Sequence, residues 1–184
     1  MAVFTSAVFP AAGEAGDGGG VIQHEYYVYK DVRAISTSGN FTVIPYWDAT
    51  ITPKDSSSKI LITAWLDWAG GDSRYCVGCR LYYAVGSGSD SHISGADGST
   101  GHYGGNTHGC FMSGGHQNWD NYGRSGNSAI YLHEPNTTQT LHYRLYVNEN
   151  RDDSTVYINR YYYQTNADYM NYATSGMLLQ EVSS

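Results

Sequence analysis

Apolar residues recur at every second position in several short runs of this chain, and no run shows the 3.6-residue period of a helix. In KILITAWLDW, residues 59–68, one face is entirely apolar: Ile60, Ile62, Ala64, Leu66 and Trp68. Such alternation is typical of strands that bury one face. We therefore predict an all-β chain with about eight antiparallel strands, at residues 21–30, 41–52, 59–68, 75–85, 128–133, 140–147, 154–163 and 177–182.

Glycine divides the chain into segments of different character. Five of the 22 glycines lie in residues 1–20 and twelve lie in residues 86–126, and such blocks favour loops over strands. We predict a flexible Gly/Ala-rich arm at 1–20 and a β-sandwich domain at 21–184, with a long Gly/Ser/His/Asn-rich loop at 86–128. Because one connection is so long, a two-sheet sandwich of jelly-roll type is favoured over an up-and-down barrel.

Charge and hydropathy exclude two classes of partner. The net charge is -7 and no run of Lys or Arg occurs, so the positive surface that binds nucleic-acid phosphates is missing. No apolar stretch approaches the roughly 20 residues needed to span a bilayer, and the first residues lack the basic segment of a signal peptide. We expect neither nucleic-acid binding nor membrane insertion.

Cysteine and histidine offer only weak metal or catalytic motifs. Cys76 and Cys79 have metal-ligand spacing, but positions i and i+3 of a strand face opposite sides. The loop also holds a group of possible ligands without a diagnostic spacing: His102, His108, Cys110 and His116. The acidic residues are scattered, and no nucleophile motif is complete. We predict a non-enzymatic protein without catalytic residues, metal or cofactor.

The long loop contains the best candidates for ligand binding. Aromatic rings interleave with amide, imidazole and carboxylate groups at Tyr103, His116, Asn118, Trp119, Asp120 and Tyr122. Flat rings with polar neighbours are typical of surfaces that bind glycans or proteins. The alternative is that the rings pack the loop onto its own sandwich or a neighbouring subunit. Together with Phe111 and Met112, the rings of Tyr103, Trp119 and Tyr122 are expected to give the loop its own apolar kernel.

Five segments in a fixed order carry a resemblance to a known family. They are ITPKDSSSKILI at 51–62, CRLYYAVG at 79–86, LHEPNTTQTLHYRLYV at 132–147, STVYINR at 154–160 and MLLQEV at 177–182. The chain resembles, over residues 20–182, small tail-fibre or tail-associated virion proteins of tailed bacteriophages. The resemblance implies a β-sandwich, trimeric association and a structural or adhesive role. The chain departs from the family mainly at 86–128.

Two functions follow from the residues and the resemblance together. The first is a tail-fibre or receptor-binding knob of a virion, which adheres to a host glycan or protein and contacts other virion proteins through residues 1–20. The second is a trimeric capsid decoration (cement) or head-fibre protein that stabilises the shell. Aromatic and aliphatic residues on both faces of several strands favour a homotrimer in either case.

Overall fold

The computed structural model describes residues 20–70, 76–98, 109–115, 125–149, 155–160 and 173–184. Within these ranges the chain is almost entirely β-strand, with one short 3₁₀ helix at Ser94–Ala96, so the all-β prediction is confirmed. None of the helical residues in these ranges forms a segment that could cross a membrane. The strands are β1 Val21–Tyr29, β2 Arg33–Ser36, β3 Thr42–Val43, β4 Ala49–Ile51, β5 Lys59–Gly70, β6 Cys76–Val85, β7 Ser91–His92, β8 Met112–Gly115, β9 Ser125–His133, β10 Leu141–Glu149, β11 Thr155–Ile158 and β12 Ser175–Val182.

Two antiparallel sheets of six strands each make up the described fold. In sheet A the principal order is β1-β12-β5-β9, and β11 and β2 continue from the far end of β5. In sheet B, β10 and β6 are central, β3 and β4 flank β10, and β7 and β8 flank β6. The chain crosses between sheets at most connections, which gives the strand order of a jelly roll. The predicted two-sheet sandwich of jelly-roll type is therefore confirmed.

Alternating side chains from both sheets form one core. The largest fully buried side chains include Trp47, Trp68 and Tyr143. Burial of each such side chain stabilises the fold by about 1.5 to 3 kcal/mol. His133 also lies inside, where its Nδ1 is 2.8 Å from the Tyr143 hydroxyl. Burial strongly raises the pKa of Tyr143, so this hydroxyl stays protonated.

Three strand predictions need correction. The run 41–52 is not one strand, because Pro45 and Tyr46 form a turn between β3 and β4, in which the Trp47 amide donates to the Ile44 carbonyl at 3.1 Å. Residues 33–36, for which the alternation predicts no strand, form β2. The loop at 86–128 contributes β7, β8 and the start of β9, so it is not free of strands. Of these, β7 and β8 pair with β6 in sheet B and the start of β9 pairs with β5 in sheet A, so these parts of the loop belong to the sandwich.

A buried carboxylate connects two of the segments that carry the resemblance. Glu181, on the last strand, is fully buried, and its Oε1 accepts hydrogen bonds from the amides of Lys54 at 2.8 Å and Asp55 at 3.2 Å. Its Oε2 accepts from Gln23 Nε2 at 2.7 Å. Asp55 in turn accepts from the amide and hydroxyl of Ser57, which lower the pKa of its carboxyl. The turn before β5 is thus fixed by the end of β12.

Candidate binding cleft

The six candidate ligand-binding residues of the long loop all lie outside the described residues. They are Tyr103, His116, Asn118, Trp119, Asp120 and Tyr122. Two residues of the expected apolar kernel, Phe111 and Met112, are described, and their burial contradicts a separate kernel. Phe111 and Met112 are buried in the same cluster as the side chains of both sheets. The described part of the loop is therefore packed onto the main core, because β8 pairs with β6.

Two cysteine side chains, those of Cys79 and Cys110, are described, and both are at least partly buried. Cys79 is fully buried, and this burial raises the pKa of its thiol well above the ordinary value. Cys110 is half-buried beside Gly78. The side chain of Cys76, and His102, His108 and His116, lie outside the described residues. Within the described ranges, no three His, Cys, Asp or Glu residues come together in a group that could hold a metal.

A surface cleft of about 360 Å³ opens where the end of β1 meets the turn between β3 and β4. Its lining combines aromatic rings with both signs of charge, from Tyr27, Val28, Tyr29, Lys30, Asp31, Arg33 and Tyr46. This volume lies at the lower end of the range for small-molecule sites. The cleft is thus large enough for one small ring with its substituents.

The floor of the cleft is an aromatic cluster held by hydrogen bonds. Tyr27 and Tyr29 lie on the buried side of β1, with ring centroids 5.4 and 5.2 Å from that of Trp47. The Tyr27 hydroxyl donates to the Tyr46 carbonyl at 2.7 Å, and the Tyr29 hydroxyl donates to the Pro45 carbonyl at 2.9 Å. Burial raises the pKa of Tyr27 to about 12 and also raises that of Tyr29. Both hydroxyls therefore remain donors at neutral pH.

Tyr46 stands at the rim of this cleft with an open ring face. It is 78% exposed although it is aromatic, and its φ of 63° lies in the left-handed region that non-glycine residues rarely adopt. The Arg33 guanidinium lies 5.0 Å from the ring centroid, and its Nη2 is 2.8 Å from Asp31 Oδ2. That hydrogen bond raises the pKa of Arg33, so its charge is maintained. Strain and exposure at one aromatic residue are features of functional sites.

Buried polar groups fix the backbone at residues 29–31, which lines the cleft opposite Tyr46. Asn159 Nδ2 donates to the carbonyls of Tyr29 at 2.9 Å and Asp31 at 3.1 Å. Its Oδ1 accepts from the Ser175 hydroxyl at 2.7 Å. The chain at 29–31 is therefore held between β11 and β12, even though it lies in a connection. The polar side chains above it project from a fixed backbone.

This arrangement is suited to binding a small ligand. An exposed tyrosine ring can stack on the apolar face of a sugar, while a guanidinium, an ammonium and a carboxylate can bond its hydroxyls. These groups come from Arg33, Lys30 and Asp31. Because Arg33 and Asp31 already pair with each other, neither stands as an isolated buried charge. The cleft thus offers stacking and several hydrogen bonds to one small ligand.

Sequence reasoning missed this cleft, although one signal for it was present. Proline inside an apparent strand interrupts its hydrogen bonds, so Pro45 indicates a turn in FTVIPYWDATIT. A turn at that point would have placed Tyr46 at the surface. The partners of Tyr46 carry no such signal, since Asp31 and Arg33 approach it only through the pairing of β2 with β11.

This chain matches no model of a protein family, and no curated protein sequence matches it significantly.

Proposed function

We propose that this protein is a non-enzymatic structural protein of a bacteriophage virion that serves as a tail-fibre or receptor-binding knob and adheres to the host surface. The five ordered segments that resemble phage tail-associated proteins support the virion assignment. The cleft at Tyr46 supports adhesion. It is the single structural observation that carries the adhesive role, since it presents a strained, exposed ring beside a fixed ion pair.

A carbohydrate of the bacterial surface is the ligand class that fits this cleft. Sugars present an apolar ring face and a rim of hydroxyls, which match the Tyr46 ring and the polar groups of Arg33 and Asp31. A single cleft of this size gives weak binding, because only a few atoms of the ligand are covered. A homotrimer would present three clefts, and multivalent contact with a polymer would raise the avidity strongly.

The second candidate function is a trimeric capsid decoration or head-fibre protein. Apolar side chains on the outer face of sheet A favour it, because Ile130 and Leu132 are exposed there and a cement protein needs apolar contacts. In both functions residues 1–20 attach the sandwich to other virion proteins. Antibody labelling of phage particles at the tail or at the head separates the two.

Binding of bacterial surface polysaccharides to Tyr46 variants tests the adhesive role. Lipopolysaccharide and capsule preparations are immobilised, and the wild-type protein, Tyr46→Phe and Tyr46→Ala are titrated over them. Tyr46→Phe retains the stacking ring and the contact with Arg33, so its binding should lie within about twofold of wild type. Tyr46→Ala should bind at least about tenfold more weakly, a loss of roughly 1.4 kcal/mol or more.

Two results would contradict the proposal. If Tyr46→Ala and wild type bind equally, and unfolding curves show that both are folded, the cleft is not the binding site. The adhesive role itself would be contradicted if the wild-type protein bound no polysaccharide preparation from bacteria that are infected by a phage carrying this protein.

A further inference from the structure

Three charged side chains line the cleft, and two of them balance each other. Arg33 Nη2 lies 2.8 Å from Asp31 Oδ2, so this guanidinium and this carboxylate already form an ion pair. The third charged group is the ammonium of Lys30, an exposed residue of the same lining. Two positive groups and one negative group leave one positive charge in excess at this site.

Lys30 lacks the acidic partner that most other basic side chains have. Four of those in the described ranges lie within 3.2 Å of a carboxylate oxygen, namely Arg33, Lys59, Arg80 and Arg144. Among the residues that the structure describes, no carboxylate forms such a pair with Lys30, although acidic residues outnumber basic ones by 17 to 10 in the whole chain. Asp48, two residues after Tyr46, is already engaged, because its Oδ1 lies 3.1 Å from Arg144 Nη2 and 3.0 Å from His142 Nδ1. The Lys30 ammonium is therefore available to a ligand.

The main chain around Lys30 is fixed before any ligand binds. Asn159 Nδ2 donates to the carbonyls on both sides of this residue, those of Tyr29 and Asp31, at 2.9 and 3.1 Å. These bonds hold the chain just beyond the end of β1, where the strand ladder has stopped. When the ammonium binds an anion, only the side-chain torsions have to be ordered, so the entropic cost of binding is reduced. Lys30 thus combines an anchored backbone with an unpaired charge.

The shape and charge of the cleft together favour a sugar that carries a carboxylate. A hexuronic acid has its carboxylate at the edge of the ring, so the apolar ring face can stack on Tyr46 while the carboxylate extends to the opposite wall, which includes Lys30. Its single negative charge equals the positive charge in excess. A phosphate monoester carries about 1.5 to 2 negative charges and would leave some of this charge beside Asp31. The carboxylate is therefore the better match.

We propose that the cleft selects an acidic sugar, a hexuronic acid unit of a bacterial surface polysaccharide, and that Lys30 binds its carboxylate. The inference rests on the proposed adhesive function for the polysaccharide and adds the chemical class of the sugar. Tyr46 stacks on acidic and neutral sugars alike, so Lys30 is the residue that determines specificity. Because an ion pair at an exposed site is weak, the preference for the acidic form should be a factor of about five.

A matched pair of ligands tests this preference. The lipopolysaccharide and capsule preparations that wild type binds are immobilised in their native form and after carboxyl reduction with carbodiimide and borohydride. This treatment converts each carboxylate into a neutral hydroxymethyl group and leaves the other groups of the sugar in place. Wild type should bind the native form about fivefold more tightly than the reduced form. Added salt should weaken binding to the native form and leave binding to the reduced form nearly unchanged.

Variants of Lys30 assign the preference to one side chain. Lys30→Gln keeps a hydrogen-bonding group without the charge, so it should bind the native form about fivefold more weakly than wild type and the reduced form equally well. The two changes remove the same contact, and their effects should therefore not add. Lys30→Arg restores the charge and should retain the preference. Lys54→Gln removes a charge from an exposed residue outside the cleft and should bind both forms as wild type does. Melting curves check that each variant is folded.

Failure of this inference is distinguishable from failure of the proposed function. A wild-type protein that binds neither form of any preparation would overturn both. Equal binding of the native and reduced forms, with weaker binding by Tyr46→Ala, would leave the adhesive function standing and overturn the acidic sugar. Equal losses for Lys30→Gln and Lys54→Gln, or a loss for Lys30→Gln that persists on the reduced form, would overturn the role of Lys30. Binding that survives carboxyl reduction but is lost after removal of phosphate with hydrogen fluoride would assign the cleft to a phosphate and overturn the carboxylate.

Discussion

The backbone strain at Tyr46 lowers the stability of the fold, and this effect can be measured separately from ligand binding. Its φ of 63° costs a non-glycine residue about 1 to 2 kcal/mol, and this cost is the same for alanine because both residues carry a Cβ. Glycine adopts this conformation freely, although the greater flexibility of glycine in the unfolded chain makes folding less favourable by about 0.5 to 1 kcal/mol relative to alanine. The difference predicts that Tyr46→Gly is more stable than Tyr46→Ala by roughly 0.5 to 1 kcal/mol.

The comparison between these two variants isolates the backbone term. Both remove the exposed ring and its contact with Arg33, so the loss of the cation–π interaction cancels. Urea unfolding at one fixed protein concentration, followed by the intrinsic tryptophan fluorescence to which buried Trp47 and Trp68 contribute, measures the two free energies of unfolding. At an ordinary position alanine is the more stable residue. If Tyr46→Ala were as stable as Tyr46→Gly or more stable, the strain argument would be wrong.

Two further predictions concern buried polar groups. Glu181→Gln should lower the free energy of unfolding by about 2 to 3 kcal/mol, because the charge-assisted hydrogen bonds to Lys54, Asp55 and Gln23 are weakened. Glu134→Gln changes an exposed ion pair and should lower that free energy by less than about 1 kcal/mol. Equal losses for the two variants in urea unfolding would refute this prediction. Burial lowers the pKa of His133 to about 4. Between pH 6.5 and 4 the imidazole is therefore protonated in the unfolded chain but not in the folded chain. The free energy of unfolding should fall by about 2 to 3 kcal/mol as the pH falls through that window. His133→Phe should flatten this pH dependence, and an unchanged slope would contradict it.

The fold could be predicted from the sequence because alternation is a local property. β5 shows it over residues 59–68 and β10 over residues 141–147, with buried side chains at every second position, and both strands were predicted to within two residues of their ends. The errors arise where local pattern is short or interrupted. β2 has only four residues, and β3 and β4 are separated by the turn at Pro45, which we included in one strand.

The candidate site could be predicted much less well, because residues 27–33 and Tyr46 are brought together by strand pairing and packing rather than by a local pattern. Asp31 and Arg33 reach Tyr46 only when β1 lies beside β12 and β2 beside β11, pairings that no local pattern reveals. The aromatic residues of the loop were predicted to bind a ligand from composition alone, and they lie outside the described ranges. Phe111 and Met112 show that aromatic and apolar residues in a glycine-rich segment can belong to the main core.

Competition with phage adsorption tests the central claim most directly. If this chain is an adhesive knob whose cleft at Tyr46 binds the host, excess purified protein should occupy the receptor and slow adsorption of a phage that carries it. Tyr46→Gly, which keeps the fold but lacks the ring, should leave the adsorption rate unchanged. Normal adsorption in the presence of excess folded wild-type protein, or equal inhibition by wild type and Tyr46→Gly, would contradict the account.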